Sequence, residues 1–93
     1  MNCTTIIYKL HAVEQMFARN ITQQEVEYVI NQGETIASYP TDKPYPSVLR
    51  LGFVNRLPIH VVIAQDEQGE CYIVTAYELN VFLWNTAFKT KKK

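Results

Sequence analysis

At Gly33 the apolar residues change their spacing, from the three-to-four period of helices before it to the two-residue period of strands after it. Leu10, Ala12, Val13, Met16 and Phe17 fall within one arc, the pattern of an amphipathic helix from Lys9 to Arg19. His11, Gln15 and Arg19 form a polar stripe on its other side. Asn20-Ile21 breaks the run. Thr22-Gln23-Gln24-Glu25 is a capping box that starts a second helix, with Ile21 and Val26 at the staple positions and Val26, Val29 and Ile30 as the buried stripe. Gly33 reads as a left-handed stop.

Beyond Gly33 the chain reads as four strands. Glu34–Tyr39 is the first, and the proline-rich loop from Pro40 to Pro46 cannot join a ladder. Ser47–Val54 follows, with Leu49, Leu51 and Phe53 on one face and Arg50 and Gly52 on the other. Asn55-Arg56 turns the chain into Ile59–Gln65, which is apolar on both faces except at His60 and is therefore expected to be central. Asp66 to Gly69 turns it again into Glu70–Tyr77, where Tyr72, Val74 and Ala76 alternate with Cys71, Ile73, Thr75 and Tyr77. The expected fold is α+β: two N-terminal helices packed on one face of a mainly antiparallel sheet of about four strands, in the order α-α-β-β-β-β. Trp84 and Phe88, spaced i, i+4, suit a last segment that packs back before the lysines.

A chain of 93 residues with 47% hydrophobic content holds one core and reads as a single domain, 1–93, with a basic tail at 89–93. The net charge is zero but unevenly placed. Residues 1–88 carry five basic groups against nine acidic ones, and the tail supplies four lysines. Such a body lacks the basic stripe of a general nucleic-acid binder, so an RNA role must come from a local site or from the tail. Cys3 and Cys71 are far apart, with no companion ligands at zinc spacing. No metal and no cofactor are expected. Cys3 reads as a free thiol and Cys71 as a small strand residue, with a disulfide left open. No signal-peptide pattern begins the chain and no apolar run is long enough to span a bilayer, so the expectation is a reduced, cytoplasmic protein.

The candidates for chemistry are few. Two histidines, one on a helix and one in an apolar strand, are the ingredients of metal-free acid–base catalysis, because imidazole titrates near neutrality. His11 is either a cleft residue or an exposed surface histidine, and His60 either a proton carrier or a satisfied core group. Arg19 offers a planar fork to a phosphate, or complements its helix end. Arg50 belongs to an exposed strand face or to a polar site on the sheet. Thr75 and Tyr77, two apart on one strand, either contact one ligand or serve as ordinary strand formers.

The stretch His11 to Thr22 with Glu25-Val26, then Gly33-Glu34, Pro58 to Val62 and Ile73 to Glu78, resembles domain-of-unknown-function family 4258 over about residues 8–88. Gln15 stands where that family commonly has arginine, and Leu79-Asn80 where a proline often follows the Tyr-Glu pair. The resemblance implies a RelE-like fold within the barnase, EndoU, colicin and RelE-like nuclease superfamily, and pairing with a YgiT-type zinc-finger antitoxin. The function it implies is a metal-independent ribonuclease toxin that cleaves RNA by 2′-OH attack on the adjacent phosphate. On that reading His11, His60 and Tyr77 are the catalytic candidates, with Arg19, Arg50 and Thr75 binding the substrate. The alternative is a non-catalytic protein-binding module, docking through a sheet edge or the Trp84/Phe88 arm, or an inactive relative of the same fold.

Overall fold

The computed structural model describes residues 1–79, so Trp84, Phe88 and the lysine tail lie outside the described residues. The elements are β1 (Ile6–Tyr8), α1 (Leu10–Ala18), α2 (Gln23–Gln32), β2 (Glu34–Tyr39), β3 (Ser47–Val54), β4 (Leu57–Gln65) and β5 (Cys71–Glu78). The sheet order is β1-β5-β4-β3-β2. The four expected strands pair antiparallel with β4 at the centre, and β1 adds a fifth strand parallel to β5, which makes the sheet mixed. Among the described residues no helix is long and apolar enough to cross a membrane.

The capping box forms as its spacing predicts. The Glu25 amide donates to the Thr22 hydroxyl at 3.1 Å, and the Thr22 amide donates to the Glu25 carboxylate at 2.8 Å. Replacing Thr22 by alanine orphans one amide of the first turn and is expected to cost about 0.5–2 kcal/mol, read as a lower denaturant midpoint at unchanged slope.

The other end of α2 differs from expectation. Gly33 has φ −78° and ψ −174°, an extended conformation open to any residue, so it is no left-handed stop. Its glycine is required by proximity, because a Cβ there would lie 2.5 Å from the carbonyl oxygens of both Leu51 and Val29. Helix and sheet thus meet backbone to backbone where α2 ends.

The core lies between the helices and one face of the sheet. Ala12, Met16, Ile21, Val26, Val29 and Ile30 pack there with Ile59, Val61, Ile63, Cys71, Ile73 and Ala76. The strict alternation read for the last strand fails within it, because the register of β4 and β5 shifts between Val62 and Ile63 and leaves Val74 without a partner. Ile73 and Ala76, three apart, therefore both join the core. Tyr77 instead sits across from His60, itself across from Leu51.

Only part of the α1 arc is inside. Ala12 and Met16 are buried, whereas Leu10 is 75% exposed, Val13 46% and Phe17 87%. The helix lies along β5 with a narrow contact, and the rest of its apolar arc faces outward.

The two cysteines are joined, which corrects both the reading of Cys3 as a free thiol and the expectation of a reduced protein: the Cys3–Cys71 disulfide has Cα atoms 5.5 Å apart. It lies beside the start of β1, where the Thr4 amide donates to the Gly69 carbonyl at 2.9 Å and the Cys71 amide to the Thr5 carbonyl at 2.8 Å. Residues 68 positions apart are thereby held in one corner of the sheet.

Candidate active site

His11, Gln15 and Arg19 occupy successive turns on one side of α1, and helical spacing alone puts them in a row. The row continues onto the sheet. The Thr75 hydroxyl donates a hydrogen bond to the Gln15 side-chain oxygen, and the Gln15 amide nitrogen lies 2.9 Å from His11 Nε2. With Gln15 donating, Nε2 is the acceptor and the ring proton resides on Nδ1. His11 is therefore an exposed imidazole whose orientation is set, through one amide, by a strand hydroxyl. His11, Glu14, Gln15, Ala18 and Arg19 line a shallow concavity of about 390 Å³.

His60 belongs to a second, separate group. Its side chain is fully buried, with Nδ1 3.2 Å from the Tyr77 hydroxyl and the two rings edge to face. Tyr77 is half-buried. Burial, with a smaller contribution from Tyr39, raises its pKa above the ordinary phenol value, so it stays a neutral donor and acceptor at physiological pH. Thr75 and Tyr77 thus bring the two groups to within two residues on β5.

Arg50 is neither on an exposed face nor aimed at the His11 row. It is buried on the helix side, where it donates to the carbonyl oxygens of Val29 (3.3 Å) and Gly33 and to the Thr35 hydroxyl (2.8 Å). Desolvation lowers its pKa from the usual arginine value. Its guanidinium bridges the end of α2 to β2, adding a second donor to the Val29 carbonyl, which also accepts the Gly33 amide at 2.9 Å. Arg19 is exposed on the rim of the His11 concavity.

Of the six candidates, the fold places His11, Arg19 and Thr75 around one surface, joins His60 with Tyr77, and sets Arg50 apart. Gln15 is the residue that sequence reasoning passed over as a participant. Its position four residues after His11, on the same stripe, was the available signal. Among the described residues, no three side chains of His, Cys, Asp and Glu converge as a metal-ligand set.

Three phenols have raised pKa values: Tyr8 by burial and its 2.8 Å bond to Glu27, Tyr72 to about 12 by its bond to Asp66, and Tyr77 as above. Each folded-state pKa exceeds the unfolded one, so above about pH 10 the unfolded chain loses phenolic protons that the folded chain keeps. Stability is then expected to fall with rising pH from that point. Urea midpoints that stay level between about pH 8 and about pH 11 would contradict it.

The fold and this surface define a small α+β domain carrying an exposed helix histidine tethered to its sheet. The chain belongs to the family described as Domain of unknown function (DUF4258), whose model matches residues 8–78. No curated protein and no solved structure matches the chain.

Proposed function

We propose that the protein is a metal-independent ribonuclease of the toxin type, with a RelE-like arrangement of helices on a sheet and a cytoplasmic RNA substrate. The observation that carries this reading is the Thr75–Gln15–His11 chain, which presents a tautomer-defined imidazole at an open surface with Arg19 two turns further along the helix. In the reaction, the substrate 2′-OH takes the place of the Gln15 amide at His11 Nε2, this nitrogen takes the 2′-OH proton and the oxygen attacks the adjacent phosphorus. The bond to the leaving 5′-oxygen then breaks, and an acid returns a proton to that oxygen. Products end in a 2′,3′-cyclic phosphate and a free 5′-hydroxyl. Arg19 offsets the charge that builds on the non-bridging oxygens. Tyr77, bonded to His60 and two residues beyond Thr75 on β5, is the candidate for that acid.

The glutamine at position 15 fits this role. An arginine there would add a cation to the surface but has no acceptor oxygen for the Thr75 hydroxyl. Gln15 gives up charge and gains a two-sided link between strand and imidazole.

The test is incubation of purified protein with RNA in the presence of excess chelator. Cleavage that leaves cyclic phosphate ends supports the reading, and intact RNA under every condition overturns it. A second reading, a protein-binding module such as the antitoxin-facing part of a toxin pair, is favoured by the exposed Leu10, Val13 and Phe17 stripe on α1. It stands alone if no cleavage is found.

A further inference from the structure

The Cys3–Cys71 disulfide and the Thr75–Gln15 hydrogen bond close the two ends of one ring of chain. One side of the ring is β5 from Cys71 to Thr75, and the other runs from Cys3 through β1 and Lys9 into α1 as far as Gln15. Strand β1 pairs with β5 alone, over Ile6 to Tyr8, and no loop separates it from the helix, since Lys9 is followed at once by Leu10. The hold of α1 on the sheet is narrow. Its buried side chains are Ala12 and Met16, and the Lys9 amide ties its start to the Ile73 carbonyl at 3.4 Å. Ahead of β1, hydrogen bonds such as that from Gln65 Nε2 to the Asn2 carbonyl at 2.7 Å lie at an exposed corner, where water competes. A shift of β1 along β5 therefore moves Gln15 relative to Thr75, and with it the imidazole that Gln15 orients.

The two sulfurs are unequally placed: Cys71 is fully buried, whereas Cys3 is half-buried and is the one a thiol can reach. We propose that this disulfide is a redox switch on the His11 site, active when oxidised and loosened when a dithiol reduces it. The switch deepens the ribonuclease reading and, where cleavage is the readout, rests on it. One thiolate of the dithiol attacks Cys3 Sγ, the S–S bond breaks, and Cys71 Sγ leaves with the electron pair and takes up a proton. The second thiol of the reductant then attacks the reductant's own sulfur in the mixed disulfide and releases Cys3, which is protonated in turn. Two electrons pass to the protein, which ends with two thiols, and the reductant ends as a disulfide. Exchange with a disulfide oxidant runs the same steps backwards, because the two Cα atoms, 5.5 Å apart, lie within bridging range while β1 keeps its register.

The experiment places the full chain, at room temperature, in dithiol–disulfide buffers of graded ratio. Each sample is read for RNA cleavage in excess chelator, for far-ultraviolet circular dichroism, and for the imidazole nitrogen shifts of His11 at about pH 8, where the ring is neutral. Cleavage is expected to slow by about 10²-fold on reduction, the cost of misplacing a catalytic group by about 1 Å, with the dichroism unchanged. The His11 shifts should pass from those of a ring protonated at Nδ1 to an average over both tautomers. Cys3→Ala should show the reduced-state rate and shifts in every buffer, and reoxidised wild type should regain its rate. An equal rate in both redox states, or a rate that falls only in step with the dichroism, would overturn the switch. RNA left intact in both states would overturn the ribonuclease reading alone, and the His11 shifts then decide the switch: a change on reduction supports it, and identical shifts overturn it.

Discussion

His11→Ala is expected to slow RNA cleavage by about 10²–10⁴-fold, the usual contribution of one general acid–base group, and to abolish growth inhibition when the protein is expressed alone. The same change should leave stability within about 0.5 kcal/mol of wild type, because His11 is exposed and its bonding partner, Gln15, keeps its contact with Thr75. That separation of effects is what identifies chemistry. A core histidine would lower both readouts together, as His60 should, since its imidazole is fully buried beside Tyr77. Arg19→Ala and Tyr77→Phe should each reduce cleavage less than His11→Ala, as charge stabilisation and proton return are shared among several groups. Wild-type rates in His11→Ala would remove the histidine from the mechanism.

How much of this was legible depends on how local each feature is. The capping box at Thr22 and Glu25 and the bounds of Glu34–Tyr39 and Ser47–Val54 follow from neighbouring residues alone, and they formed as read. Strand β1 was not legible. It has three residues and exists through parallel pairing of Ile6–Tyr8 with Cys71–Ile73, some 65 positions away. The register shift opposite Val74 is equally silent in sequence, because Tyr72, Val74 and Ala76 alternate without a break. It nevertheless decides the site, since it lets Ile73 and Ala76 both enter the core while Tyr77 stands beside His60.

The site residues divide along the same line. The His11, Gln15 and Arg19 stripe is a property of helical geometry and was visible from spacing. That Thr75 would close on Gln15 depends on how α1 lies along β5. Arg50 misled for a related reason. A lone charge in a strand suggests an exposed face or a ligand, but β3 turns it toward the end of α2, where it donates to the Val29 and Gly33 carbonyls. The outward Leu10, Val13 and Phe17 show the limit of an apolar arc. Periodicity reveals that a face is apolar, and packing decides how much of it the same chain covers.

Cys3→Ala is expected to cost the domain about 4 kcal/mol, the chain-entropy value for a closed loop of this length. Cys3 is the position to change, because it is only partly buried, whereas Cys71 is fully buried in the core and its loss would add a cavity. For a chain of this size such a loss lowers the melting midpoint by on the order of 20 °C. Reductant should bring wild type down to the level of Cys3→Ala and leave the variant unmoved, which separates the crosslink from side-chain packing. The effect should concentrate at β1, held after reduction by its short ladder to β5 and the flanking bonds from Thr4 and to Thr5. Since β1 runs directly into Lys9 and α1, hydrogen exchange in reductant should quicken first at Ile6–Tyr8 and then at the helix that carries His11. Matching midpoints for wild type and Cys3→Ala without reductant would show that the native fold does not use the bond.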